Sequence, residues 1–231
     1  MAFGRDGTSH KSVNTAAAIS PTAAKAAGSA TSPSRTSSTS SSSAPAPKTT
    51  TSDPTPSSTV TGKVSKGVHS GDIRYFLLPA PSDGKVIGPA DGDTLTDKAM
   101  ADRYTNSAEA LKGLKDLGFK DGAARAYQTD DAKYHVAVFL MHFSSAQNAK
   151  WWLAGDEGDA SWKAFDVPGH SDVKAWDIPA EDSSRDEGQL RAVGVRGDVY
   201  FEVTIVGEPP MDHAVLINCV RKQIDRLDTG S

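Results

Sequence analysis

The chain lacks most of what would disclose a chemistry. It has one cysteine, Cys219, in 231 residues, so no intramolecular disulfide can staple the fold, and cysteine usage neither supports nor excludes an oxidising compartment. No run approaches the ~18 apolar residues of a membrane helix, so no span is expected. The alanine-rich stretch "SVNTAAAISPTAAKAAGSA" is broken by Pro21 and Lys25 and has no leucine-type core, so it does not read as a signal peptide. No G-x-S-x-G, P-loop or G-x-G-x-x-G occurs. The sequence thus offers no nucleophile elbow or phosphate cradle, and no cofactor is expected.

Aromatic residues are absent between Phe3 and Tyr75. Positions 28 to 61 hold 12 Ser, 9 Thr and 5 Pro. Such a stretch cannot bury enough apolar surface to offset its ordering entropy. Residues 1–61 are therefore expected to form a disordered tail or stalk, and residues 62–231 a single domain large enough for a core. The tail carries Arg5, Lys11, Lys25, Arg35 and Lys48 against Asp6 and Asp53, a net +3. The remaining 20 basic and 27 acidic residues give the domain −7. An acidic domain repels phosphate backbones, so nucleic-acid binding is not expected. A Ser/Thr/Pro spacer suits a domain held away from a membrane or wall; a flexible cytoplasmic tail is the plain alternative.

What is present reads as alternating strands and helices. "DIRYFLLP" (72–79) is expected as a strand, and a short one follows at Lys85 to Ile87. "NSAEALKGLKDLG" (106–118) predicts a helix capped by Asn106 with Glu109 and stopped by Gly118. A hairpin is expected over 123–129 and 133–143. Both faces of its second strand are apolar, so that strand is expected to be central. "SSAQNAKWWLAG" (144–155) predicts a helix with Ser144 and Gln147 as its capping box. "ASWKAFDVPG" and "SDVKAWDIP" read as extended segments. A second hairpin spans 189–195 and 199–207. The last helix, 211–227, buries Leu216, Val220, Ile224 and Leu227. Tyr134, Val136 and Val138 match Phe201, Val203 and Ile205, and Arg125-Ala126 matches Arg191-Ala192. This predicts a duplicated β-β-α unit in an α+β fold with a mostly antiparallel sheet and helices packed on it.

The polar residues give weak signals. His135 and His142, seven apart on one strand, point to opposite faces and do not converge on a metal. His170 with Asp172 reads as an exposed loop. "DGDTLTD" (91–97) fails the EF-hand pattern at Leu95 and Thr96, and "GDEGD" (155–159) lacks its terminal Glu, so both read as solvated turns and no metal site is expected. Ser82 and Lys85 fit S-x-x-K, but in a Gly/Pro-rich loop. Cys219 reads as a small core residue. The tryptophans say more: Trp151, Trp152, Trp162 and Trp176 crowd into 26 residues. Adjacent helical residues lie ~100° apart, so Trp151 and Trp152 cannot both face the core. The four form a candidate binding patch for a protein or carbohydrate, against the alternative that residues 156–188 fold over the outward one.

The series "DIRYFLLPAP", "LKGLKDLGFKDGAARAY", "HFSSAQNAKWWL", "FDVPG" and "VYFEVTIVG", closing with "QIDRL", resembles uncharacterised extracytoplasmic proteins of actinobacteria, streptomycetes especially. More distantly it is similar to extracellular sensor domains of actinobacterial receptor kinases and to small cell-envelope lipoproteins. The resemblance implies an α+β domain behind a Ser/Thr-rich spacer, with an anchor upstream, and brings no catalytic residues. It departs from the kinase sensors in having no disulfide. Together these readings lead to a non-enzymatic extracytoplasmic domain binding a partner protein or envelope ligand. The alternative is a cytoplasmic adaptor docking onto a larger machine.

Overall fold

The structure, a computed structural model, describes residues 58–180 and 187–231. Most of the expected tail, residues 1–57, lies outside the described residues, as do residues 181–186 of the segment weighed as a cover for the tryptophans. Of the four remaining tail positions, Val60 is buried, and Thr59 donates from both its amide and its hydroxyl to Asp91.

The strands are β1 (Gly62–Ser65), β2 (Val68–Gly71), β3 (Lys85–Ile87), β4 (Asp93–Leu95), β5 (Phe119–Gln128), β6 (Tyr134–Phe143), β7 (Lys163–Phe165), β8 (Lys174–Ile178), β9 (Gly188–Arg196) and β10 (Val199–Gly207). The helices are α1 (Asp97–Ala101), α2 (Ser107–Asp116), α3 (Ala146–Ala154) and α4 (His213–Thr229). The fold is α+β. One antiparallel sheet runs β3-β5-β6-β10-β9-β8-β7, with β4 also pairing β5 on the edge that β3 occupies. β6 and β10 sit at its centre, as the two-sided apolar pattern requires: every residue of β10 is buried.

The two faces carry separate cores. On one, Val136, Val138 and Leu140 of β6 join Phe201, Val203 and Ile205 of β10 beneath α4, whose Leu216, Val220, Ile224 and Leu227 close the layer. On the other, Met141, Phe143 and Tyr200 pack with Met100, Leu114, Ala149 and Trp152 of α1, α2 and α3.

Both expected β-β-α units occur, β5-β6-α3 and β9-β10-α4. Their second strands pair about Ala137 and Thr204, with Val138 opposite Val203 and Val136 opposite Ile205. The match ends there. α3 packs on one face and α4 on the other, and the two matched arginines also part: Arg125 reaches the carbonyls of Leu77 and Leu78 beside α4, while Arg191 joins Asp156 and Glu202 on the α3 side.

Two local expectations are corrected. Residues 72–79 are not a strand: Ile73–Phe76 form a 3-10 helix. Asp72 caps it, accepting from the Arg74 amide and pairing with the Arg74 guanidinium at 2.6 Å. Ile73 and Phe76, three apart, lie on one side of such a turn, and both are buried. The apolar run thus follows a period of three, not two. At α3 the cap is Ser145, whose hydroxyl accepts from the Asn148 amide, one residue later than expected. Ser144 instead takes the Asn148 side-chain amide.

The β1–β2 hairpin is pinned at its turn. Lys66 and Gly67 both have positive φ, as a tight hairpin turn demands. The Gly67 carbonyl accepts from the Asp198 amide in the turn between β9 and β10. Gly197, also at positive φ, leaves room for that approach: a Cβ there would lie 1.7 Å from the Gly67 oxygen.

Candidate functional site: a groove along the last helix

α4 has a second stripe beside its buried one. Val215, Asn218, Cys219, Lys222, Asp225 and Arg226 recur at three- and four-residue spacing, and all line a groove of about 550 Å³. Its other wall is Leu78, Pro79, Ala80 and Pro81, with Tyr127, Thr129 and Val136 of the hairpin at its base. This volume falls in the range of small-ligand sites. The prolines set the wall: lacking amide hydrogens, Pro79 and Pro81 cannot continue a ladder, so the chain runs past the sheet edge. Gln223 holds the segment in place, accepting from the Leu78 amide and donating to the Phe76 carbonyl at 2.8 Å each.

The polar groups of the groove lie mostly on its α4 side. The Tyr127 hydroxyl and Cys219 sulfur lie 3.6 Å apart, and burial raises the pKa of both, so neither ionises readily. Arg226 lies over the Tyr75 ring at 5.0 Å and has no carboxylate within 4 Å among the described residues. Its Nε is buried without a hydrogen-bond partner. Behind the wall, Arg125 donates to the carbonyls of Leu77, Leu78 and Ala90. Burial lowers the pKa of Arg125, and the neighbouring Arg226 lowers it further. The sequence signal for this site was the second α4 stripe, which reads as ordinary solvent-facing surface until the Pro79–Pro81 wall is placed opposite it.

A chain of titratable groups lies elsewhere, joining β2, β5, β6 and the β9–β10 turn. His69 Nδ1 hydrogen-bonds Asp198 Oδ1, and its Nε2 lies at the same distance from the Leu227 carbonyl, 2.8 Å in each case. Asp198 Oδ2 takes His142 Nε2 at 3.2 Å, and His142 Nδ1 reaches Asp121 at 3.2 Å. A β-bulge at Lys120 brings Asp121 opposite His142. Burial depresses the His142 pKa, but the two carboxylates outweigh it and raise it to about 8. Lys120 Nζ also lies 3.3 Å from His142 Nε2. That nitrogen cannot accept from Lys120 while donating to Asp198, and the shorter carboxylate contact with opposite charge prevails. Every ring nitrogen in this chain is occupied, so it ties elements together and offers no lone pair to a substrate.

A buried ion network lies under α3. Arg191 makes a two-pronged contact with Asp156, and the same guanidinium reaches Glu202 at 2.8 Å. Arg103 donates to the other oxygen of Glu202 at 2.6 Å and stacks on Phe139. Asp156 was expected in a solvated turn; it is 1% exposed. The turn dips inward because a buried arginine needs a counter-charge.

Three of the tryptophans share the core beneath α3, and one lies at the surface. Trp152 and Trp176 are buried, Trp162 packs edge-on against Trp176 at 6.0 Å, and Trp151 is 47% exposed. Trp152 contacts Tyr104 and Phe143. His170 and Asp172 both meet Arg196, at 3.2 and 2.6 Å. Ser82 and Lys85 sit apart from any of these clusters, Lys85 exposed on edge strand β3. Among the described residues no group of three His, Cys, Asp or Glu side chains is placed to hold a metal, and no helix is long and apolar enough to cross a membrane.

No family model matches the chain, and no curated protein matches it. Among solved structures it is similar to the extracellular domain of PknH from Mycobacterium tuberculosis, at 13% identity and a TM-score of 0.37, over 59% of this chain and 77% of that one.

Proposed function

We propose that this chain is a non-catalytic binding module of the cell envelope, held out on its Ser/Thr/Pro-rich stretch and taking its ligand in the groove along α4. The observation that carries the reading is the groove itself: an apolar wall at residues 78–81, a mostly polar wall on α4 and a volume suited to a small ligand. The other polar clusters fit catalysis poorly. The histidine chain has no free nitrogen, and the Arg191 network is closed from solvent. The envelope part rests on composition, since 26 of residues 28 to 61 are Ser, Thr or Pro. Of the tryptophan patch, Trp151 and the half-buried Trp162 have surface to offer a partner, on the face of the sheet opposite the groove. Protease added to intact cells that produce the full chain is expected to remove the folded unit. Complete protection until the cells are lysed would place it in the cytoplasm and overturn the envelope reading.

A further inference from the structure

Among the described residues, the groove holds two cations without ion-pair partners on a molecule that is acidic as a whole. Residues 62–231 carry 20 basic and 27 acidic side chains, so the surface as a whole repels anions. Inside the groove Lys222 and Arg226, one helical turn apart on α4, face the Pro79–Pro81 wall, and neither has a carboxylate within 4 Å among the described residues. Asp225 and the terminal carboxylate of Ser231 are the acids on the same lining, while Arg125 adds a third cation from behind the wall. The negative end of the α4 dipole, worth about half a charge, lies close to Arg226 and offsets part of this, but less than one full cation. A buried Nε without a partner and a guanidinium held only by a ring face are groups still short of an acceptor.

The same groove has an apolar half. Leu78, Pro79, Pro81, Val136 and Val215 line it without charge, and the Tyr127 and Cys219 side chains at its base stay neutral. We propose that the groove binds a small anionic amphiphile with a single compact head, its carboxylate or phosphate on Lys222 and Arg226 and its alkyl or aryl body against Pro79, Pro81, Val136 and Val215. This rests on the groove being the binding site. A compact head suits two cations four residues apart, and a polyanion would meet the acidic surface beyond them.

Decanoate, decyl phosphate, decanol, decyltrimethylammonium and inorganic phosphate, each titrated into the full chain, test this by calorimetry and by amide shifts in the NMR spectrum. The two alkyl anions are expected to bind and to shift amides of residues 78–81 and 215–226. Decanol and the ammonium should bind at least tenfold more weakly, and inorganic phosphate alone should not register. Lys222→Gln is expected to weaken decanoate binding about tenfold, the loss expected for one charge-assisted contact. Arg226→Gln should do the same, but it also loses the contact with Tyr75, so the exposed Lys222 keeps the test clear of folding defects. Equal binding of decanol and decanoate would overturn the anion assignment while leaving the groove as the site. Inorganic phosphate binding as well as decyl phosphate would overturn the apolar part. If no amphiphile shifts the groove amides, both the ligand class and the groove reading fall.

Discussion

Arg191 and Asp156 meet through two hydrogen bonds of 2.9 and 2.6 Å, one to each carboxylate oxygen, with each side chain 2% exposed. Glu202 and the Tyr200 hydroxyl complete the cluster, the latter donating to Asp156 at 2.6 Å. Removing one partner from such a cluster leaves a charge buried without compensation. Asp156→Asn and Arg191→Met are each expected to destabilise the fold by about 3–5 kcal/mol. Urea unfolding measures this, and a loss below about 1 kcal/mol would match a solvated surface pair and contradict the burial.

The histidine chain predicts a pH dependence of stability. The folded-state pKa of His142, about 8, lies above the ordinary histidine value of 6.5. Its contribution is therefore fully present below about pH 6.5 and is lost as pH rises through 8. The shift corresponds to about 2 kcal/mol. Asp198 is the other end of the same contact: burial alone would raise its pKa, but the hydrogen bonds from His142 and His69 hold it well below the usual carboxylate range. That side of the pair is lost as pH falls below about 4. Asp121, Asp198 and Lys120 are the charged groups facing His142. Denaturant midpoints between pH 5 and 9 should drop on the alkaline side, and His142→Gln should flatten the drop. A midpoint constant from pH 6 to 9 in the parent chain would refute the coupling.

Gly197 tests the docking of the first hairpin. Its φ of 55° favours glycine, and any Cβ would run into the Gly67 carbonyl. Gly197→Ala is expected to cost about 1–2 kcal/mol for the left-handed backbone alone. It should also release β1 and β2, so that hydrogen exchange quickens over 62–71. Unchanged exchange there would show that the turn does not hold the hairpin.

Trp151 and Trp152 are neighbours with opposite fates. Trp152→Ala empties part of the core under α3 and is expected to cost about 3–5 kcal/mol. Trp151→Ala removes an exposed ring and should stay within about 0.5 kcal/mol. Thermal unfolding of the two variants compares them directly. Similar losses for both would mean that the exposed ring is packed against something in solution, as a partner-binding tryptophan would be.

Much of the fold was legible locally. α2 with its Asn106 cap, both long hairpins and the buried stripe of α4 all follow from periodicity and capping residues, which depend on neighbours within a few positions. The run at 72–79 misled, because an unbroken apolar stretch suits either a strand or a 3-10 turn. The Asp72 cap and the spacing of Ile73 and Phe76 decided it. "GDEGD" misled for another reason: an acidic turn looks solvated unless its counter-charge is known, and Arg191 lies 35 positions away.

The amino-acid sequence by itself determined the class of the fold, the two-sided apolar character of β6, the acidic balance of residues 62–231 and the fact that only one of Trp151 and Trp152 could face inward. Each is a property of composition or of a fixed backbone period. Only the tertiary structure decided which tryptophan that was, sent α3 and α4 to opposite faces, and brought Asp198 between His69 and His142. It also set Lys222 and Arg226 across from Pro79 and Pro81. These juxtapositions join residues from 56 to well over 100 positions apart, and no local pattern encodes them, because they arise from how the sheet orders its strands and which face each helix covers.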